Sequence, residues 1–429
     1  MNNRGIHPRR YRGAALALGA ALALSGCTAA ADAVGDSHPQ VKASFAAETT
    51  ARLDAALAEA TTLSGSTGAM AGVWAPWAGQ WVVSPGTTAT TDPEPLTTEM
   101  SFRIGTNTTA MTCTVLLRLV DEGTVRLDDQ VATHLPRLAG LEGITLGQLC
   151  QNTSGLADHT RLLNPQFVAN PTREWPSREL LATGMGSARV ALPGGTWSQS
   201  DTGIVVLGMA LQAATHRDWP SLYRHYILEP LRLQGTSLPP ANELRIPGEN
   251  PHGYAAALDP AGHAACETML DVTELSPSLA GVAGGAVSTL GDLKTWARAL
   301  AEGSLLSQKT TDAQWATVPR GSDAPAWQRY GLGAEQIGPL RGQTGAIPGF
   351  ISAAFADPSS GLTVVVVFNN STSGRGFAEA VARRLASIAA PAPSADGTAA
   401  PTVELPWSED QATEAMRAAT VCPPPAPAG

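Results

Sequence analysis

Acyl transfer, metal and redox chemistry each need particular side chains at particular spacings. The 429-residue chain is sparing with them. Of its 28 basic residues only three are lysines: Lys42, Lys294 and Lys309. The residues three before them are Pro39, Gly291 and Leu306. No lysine therefore stands one helical turn after a serine or threonine. No tyrosine is followed two residues later by asparagine, and no lysine or histidine precedes a Thr-Gly or Ser-Gly pair. Gly65-Ser66-Thr67-Gly68 is too short for a nucleophile elbow and reads as a turn. His134, His216, His225, His252 and His263 are scattered without metal-ligand spacing, and no Cys-x-x-Cys occurs. No metal and no cofactor is expected.

The elements that must position any site follow from hydrophobic periodicity. Ser44–Thr62 carries Phe45, Leu53, Ala56, Leu57 and Ala60 at helical spacing. Gly68–Trp74 and Gln80–Ser84 read as a strand pair. Helices are expected at Val115–Asp121, Trp175–Ala182, Ile204–Ala214, Ser221–Leu231 and Asp292–Leu300. Tyr330–Ile337, Phe350–Ala356 and Leu362–Asn369 read as strands, the last a continuous valine run suited to a buried central position. Gly376–Ala389 closes with a helix, and Glu404–Val421 reads as holding one more. Strands at both ends with helices between predict an α/β fold, its sheet built from both termini around an all-helical insertion.

Apolar residues make up 43% of the chain, enough for a core, and the net charge is −9. That charge argues against nucleic-acid binding, which needs a basic face. Arg4, Arg9, Arg10 and Arg12 precede a short apolar run, Ala14–Leu24, which reads as an export signal over residues 1–26. The following Leu24-Ser25-Gly26-Cys27 resembles a bacterial lipoprotein cleavage box, with Cys27 acylated. The expected localisation is the outer face of the cytoplasmic membrane, through that lipid. Residues 27–44 read as a tether, 45–390 as the main domain and 391–429 as a Pro/Ala-rich extension. Four cysteines remain, an even number that favours disulfides in an exported protein.

Eight segments together carry a resemblance. They are Ser101–Gly105, Leu116–Gly123, Ile144–Leu156, Pro193–Gly208, Ile227–Leu231, Gly281–Leu293, Tyr330–Gly333 and Gly342–Phe350. In this order they resemble the serine β-lactamase and penicillin-binding-protein superfamily. The similarity is strongest to the branch of class C β-lactamases, D-alanyl-D-alanine carboxypeptidases and related esterases. It implies an antiparallel sheet flanked by helices plus a helical subdomain. It also implies acyl transfer through a serine, with a lysine one turn later, a Tyr-x-Asn loop and a Lys-Thr-Gly or His-Thr-Gly strand.

Carried over position by position, the serine falls on Thr106 and the lysine on Thr109. The Tyr-x-Asn positions fall on Gln199 and Asp201, and the third motif falls on Gln343-Thr344-Gly345. The oxyanion hole would use backbone N–H groups near Thr106 and Ala346. Thr344, Gly345 and Ala346 are the implied substrate-binding positions. Thr153-Ser154-Gly155-Leu156 matches a segment whose role by resemblance is structural. His159, just after it, reads as a loop residue. The resemblance implies a disulfide Cys113–Cys150, which leaves Cys266 with Cys422.

A threonine hydroxyl is a weak nucleophile that needs an adjacent base, and neither Thr109, Gln199 nor Gln343 accepts a proton at neutral pH. The expectation is an inactive member that binds or scaffolds at the cell envelope, for a peptidoglycan peptide or a cell-wall enzyme. Thr106, Thr109, Gln199 and Gln343 would form a neutral cleft. The alternative is a slow hydrolase using Thr106, with Asp201 or a water as base. A third possibility is a relic pocket with no ligand.

Overall fold

The computed structural model of the protein describes residues 37–397 and 399–422. The expected signal over 1–26 and Cys27 lie outside the described residues.

Twelve strands form among them: β1 (Ala69–Ala75), β2 (Gly79–Val83), β3 (Ser101–Arg103), β4 (Tyr254–Leu258), β5 (Ala264–Asp271), β6 (Val287–Thr289), β7 (Val318–Pro319), β8 (Gln328–Tyr330), β9 (Glu335–Ile337), β10 (Leu340–Ile347), β11 (Phe350–Ala356) and β12 (Thr363–Phe368). Eight of them make one sheet in the order β2-β1-β12-β11-β10-β9-β8-β7, antiparallel throughout. β3 pairs with β6, and β4 with β5, as separate two-stranded sheets. The sheet does come from both ends of the chain, and the expected fold class holds.

The valine run of β12 explains the layering. Successive side chains point to opposite faces. Val364, Val366 and Phe368 pack with Leu53 and Leu57 of helix Ala47–Ser64 and with Phe377 and Leu385 of helix Gly374–Ala389. Val365 and Val367 belong to the opposite core, with Met111, Leu116 and Trp296 from the helical part. Both faces are buried, so no polar alternation appears in the sequence.

Several elements differ from expectation. Tyr330–Ile337 is two strands, β8 and β9, because the Gly331 N–H turns back to Ala334 O at 2.7 Å. β10 is the strand the resemblance implied at Gln343-Thr344-Gly345, although periodicity gave no sign of it: Arg341–Gly345 lacks an apolar rhythm, and pairing to β9 and β11 makes it a strand. The β4–β5 hairpin was unforeseen. So was helix His159–Ala169, which places His159 fully buried at a helix start rather than in a loop. The expected helix Ser221–Leu231 is compound, with a π turn over Arg224–Leu228.

Both ends of the described chain adhere to the domain. Gln40 Nε2 donates to Ala75 O and Gly79 O, and Val41 N–H to Pro76 O, so the last residues of the expected tether lie along the sheet. In the extension, Trp407 is buried and its indole N–H donates to Arg383 O at 3.2 Å. The Arg383 guanidinium stacks 5.0 Å from that ring, a cation–π contact. Helix Glu409–Ala418 follows a capping box at Ser408 and Gln411, and buries Ala412 and Met416.

Two disulfides are present, Cys113–Cys150 and Cys266–Cys422. The first joins helix Asn107–Asp121 to helix Leu146–Cys150 deep in the core. The second ties the tail to β5. Their sequence separations are 37 and 156 residues. Loop entropy alone would rank the longer loop as more stabilising, at ~5 against ~4 kcal/mol. The second bridge, however, closes at the chain's end, where release frees only a terminal helix. Replacing Cys113 and Cys150 by alanine is therefore expected to lower the global Tm more than replacing Cys266 and Cys422. The second pair should instead expose the tail to protease. Calorimetry and limited proteolysis of the two double variants check this ranking.

Candidate active site

The site begins where β3 meets helix Asn107–Asp121. Gly105 sits between them at φ 53°, and a Cβ there would lie 2.5 Å from the backbone of Ala346. A Cβ at Gly345 would lie 2.1 Å from Ile104 O. Only glycine at both points lets the loop and β10 come this close. Thr106 is thereby pressed against the β10 main chain. Its hydroxyl donates to Thr344 O at 2.9 Å and accepts from the Ala346 N–H at 3.3 Å.

The next threonines are spent in the same way. Thr109 Oγ1 donates to Ala283 O at 2.9 Å, and Thr112 Oγ1 to Val282 O at 2.6 Å. Thr108 Oγ1 donates to Gly105 O at 2.7 Å and accepts from the Ala286 N–H at 3.1 Å. The threonine-rich first turns of this helix thus bind the Gly-rich segment 281–286 through its main chain. Buried hydroxyls need such partners.

Gln343 is buried, with its amide N–H 3.4 Å from Thr106 O. Thr344 turns its hydroxyl to Glu335 Oε1 at 2.8 Å. Glu335 is itself fully buried, with Oε2 2.9 Å from Arg320 Nη1. The same Arg320 nitrogen lies 2.7 Å from Glu379 Oε2. Burial pushes the Glu335 carboxyl up, and Arg320 opposes it. Burial works to lower the Arg320 guanidinium, but Glu335 and Glu379 raise it further. The threonine implied as a substrate contact is therefore committed to an internal ion-pair network.

Asp201 opens helix Asp201–Thr215, whose cap is Ser200: its Oγ accepts from the Gly203 N–H at 3.1 Å. The Asp201 carboxylate is 7% exposed. It accepts from Thr160 Oγ1 at 3.0 Å and from Gln199 Nε2 at 3.4 Å. Asp158, a residue the motif reading missed, lies beside it. Asp158 Oδ1 accepts the N–H groups of both Thr160 and Asp201, each at 3.2 Å. Burial first, and then the Asp201 charge, pushes the Asp158 carboxyl up to about 7. Its only sequence signal was that of a helix N-cap before His159. Burial lowers the His159 imidazole. Its Nδ1 lies 3.0 Å from Thr202 Oγ1.

A cavity of about 460 Å³ connects these parts. Thr106, Ala346, Asp201, Thr160, Arg161 and Asn164 are among its lining residues. Thr109, Gln199, Gln343 and Thr344 are not, so the expected neutral cleft of four uncharged side chains is not what forms. The wall instead brings the Thr106 hydroxyl and Ala346 together with the Asp201 carboxylate, with Thr160, Asn164 and the Arg161 guanidinium beside them. A groove of about 870 Å³ beside Arg137 and Arg178 is larger. It holds no carboxylate and no hydroxyl, so volume does not mark the site.

The chemistry this allows is limited. Thr106 gives its proton to a carbonyl, which is no base at neutral pH. Among the described residues no hydrogen bond joins Thr106 to Asp201. Ser154, in the other serine-containing motif, is buried and accepts the Leu156 N–H at 3.3 Å, a local structural role.

Comparison with known proteins agrees with this fold. The Beta-lactamase family model matches residues 53–388. Penicillin-binding protein 4 of Amycolatopsis lactamdurans is 26% identical over 47% of this chain and 51% of its own. D-alanyl-D-alanine-carboxypeptidase/endopeptidase AmpH of Escherichia coli is 31% identical over 32% of this chain and 37% of its own. The chain thus spans about half of the first relative's length and about a third of the second's. A D-stereospecific amidohydrolase from Streptomyces superposes with a TM-score of 0.65 at 29% identity, covering 75% of this chain and 94% of that one. With the fold, the order of the motif segments and a match across most of its length, the chain belongs to the beta-lactamase family.

Proposed function

We propose that the protein is a ligand-binding member of this family that does not form the family's acyl-enzyme. One observation carries the reading: the hydroxyls at both the nucleophile and base positions, Thr106 and Thr109, donate to main-chain carbonyls. A nucleophile must hand its proton to a base, and among the described residues no side-chain base hydrogen-bonds to Thr106. Losing one member of a working catalytic set costs ~10³–10⁶ in rate. The cavity nonetheless persists, and the Ala346 N–H still points at Thr106. Export and lipid attachment at Cys27 would put this cleft at the outer face of the membrane. Relatives named as a penicillin-binding protein and a carboxypeptidase make a cell-wall peptide, or an enzyme acting on one, the first partner to test.

A slow hydrolase is the second reading, because Asp201 lines the same cavity as Thr106. The two readings part in a covalent-probe assay. Incubation with fluorescent penicillin, nitrocefin and p-nitrophenyl esters is expected to give no turnover and no mass increase. Thr106→Ser alone should remain inert, since it supplies a better nucleophile but no base. An adduct mapped to Thr106 in the wild-type protein would overturn the binding reading.

Holding Asp158 beside Asp201 leaves a signature in stability. The Asp158 carboxyl titrates near 7 in the folded protein against an ordinary value of 3.8. Between those values the folded state binds the extra proton, so stability falls as pH rises from about 4 to about 7. Asp158→Asn can keep both N–H acceptors and removes the titrating group. The variant is expected to gain Tm relative to wild type as pH rises from 5 to 8. Thermal melts across that range check the sign, and a constant difference would refute it.

A further inference from the structure

Asp201 is a charge without a counter-ion. Its side chain is more than nine-tenths buried, yet it lines an open cavity of about 460 Å³. Its partners are a neutral hydroxyl, Thr160, and a neutral amide, Gln199. No ion pair to it is formed among the described residues. The next carboxyl, Asp158, is no help, because a second acid only adds repulsion. The start of helix Asp201–Thr215 offsets part of the cost through its partial positive charge. Buried carboxylates nevertheless call for a full cation.

The surroundings sharpen the chemistry. The groups that would hold an anion are mostly committed elsewhere. Gln343 is buried against Thr106, and the Thr344 hydroxyl is committed to Glu335. The one cation lining the cavity, Arg161, is exposed on helix His159–Ala169 and forms no ion pair with Asp201. Thr106 and Ala346 line the same cavity, but the Thr106 hydroxyl already donates to Thr344 O and the Ala346 N–H to Thr106, which leaves the Asp201 carboxylate as the charged group a ligand can meet.

We infer that the cleft takes a small ligand bearing a free primary ammonium group, which pairs with Asp201. The peptide or amino-acid-derived ligand is thus held by its amino end. This rests on the binding reading above and names its ligand class. The size of the cavity suits a group of one or two residues.

Calorimetric titration of the intact protein with simple probes tests it at pH 7. D- and L-alaninamide carry the ammonium without a carboxylate. N-acetyl-alaninamide lacks both charges, and N-acetyl-alanine carries only the carboxylate. At least one alaninamide should bind, its acetylated form should bind at least tenfold more weakly, and Asp201→Asn should weaken the alaninamide by at least tenfold. The comparison among probes on the wild-type protein needs no variant to fold. N-acetyl-alanine binding as well as the alaninamides would point to Arg161 and overturn the ammonium assignment, while leaving a binding cleft. Alaninamide affinity unchanged in a folded Asp201→Asn protein would also overturn it. No binding by any probe at millimolar concentration would overturn the ammonium assignment, while the binding reading itself stands or falls on the covalent-probe assay.

Discussion

The cleft depends on the close approach of two backbones, the loop before helix Asn107–Asp121 and strand β10. Gly105 and Gly345 permit it, and the Thr106 hydroxyl bridges it through Thr344 O and the Ala346 N–H. Such a hydrogen bond is worth only ~0.5–1.5 kcal/mol net. Its importance is geometric. It sets where the one polar backbone group of the wall points, and it occupies the hydroxyl that chemistry would need free. The same contact that shapes the cleft therefore quiets its nucleophile.

The remaining threonines extend that logic along the helix. Thr108, Thr109 and Thr112 all bond to segment 281–286 or to the loop before it. Where the resemblance implies a lysine, Thr109 asks only for one carbonyl. A buried ammonium would need several oxygens and would carry a desolvation cost of several kcal/mol. Hydroxyls give a well-satisfied interface without that cost. The Cys113–Cys150 bridge and the two sheet cores hold the frame without any ionisable group of the site. The catalytic residues can change while the fold remains.

Much of this frame was legible from the residues alone. The valine run of β12 and the helices packed on it follow from periodicity, because burial on one or both faces writes directly into the pattern. β10 was legible only through the resemblance: Arg341-Gly342-Gln343-Thr344-Gly345 has no apolar rhythm, and its pairing to β9 and β11 is what makes it a strand. The motif positions Thr106, Asp201 and Ala346 do meet around one cavity. Thr109, Gln343 and Thr344 do not reach it, since each has an internal acceptor or donor that no spacing rule reveals. Asp158 was invisible as a site residue for a similar reason. A cap residue looks the same whether or not a second carboxylate lies across a tertiary contact.

What remains is an electrostatic imbalance confined to one wall. The Glu335–Arg320–Glu379 cluster behind β10 supplies its own cation. Among the described residues Asp201 has none, and it lines an open cavity. Asp158 relieves the repulsion by holding its proton up to about pH 7, which reduces the local charge without cancelling it. The two Asp201 oxygens accept from Thr160 and Gln199, but these neutral donors leave the full charge of the carboxylate facing the cavity without a cation. The charge is then best understood as one half of an ion pair whose other half arrives with a ligand.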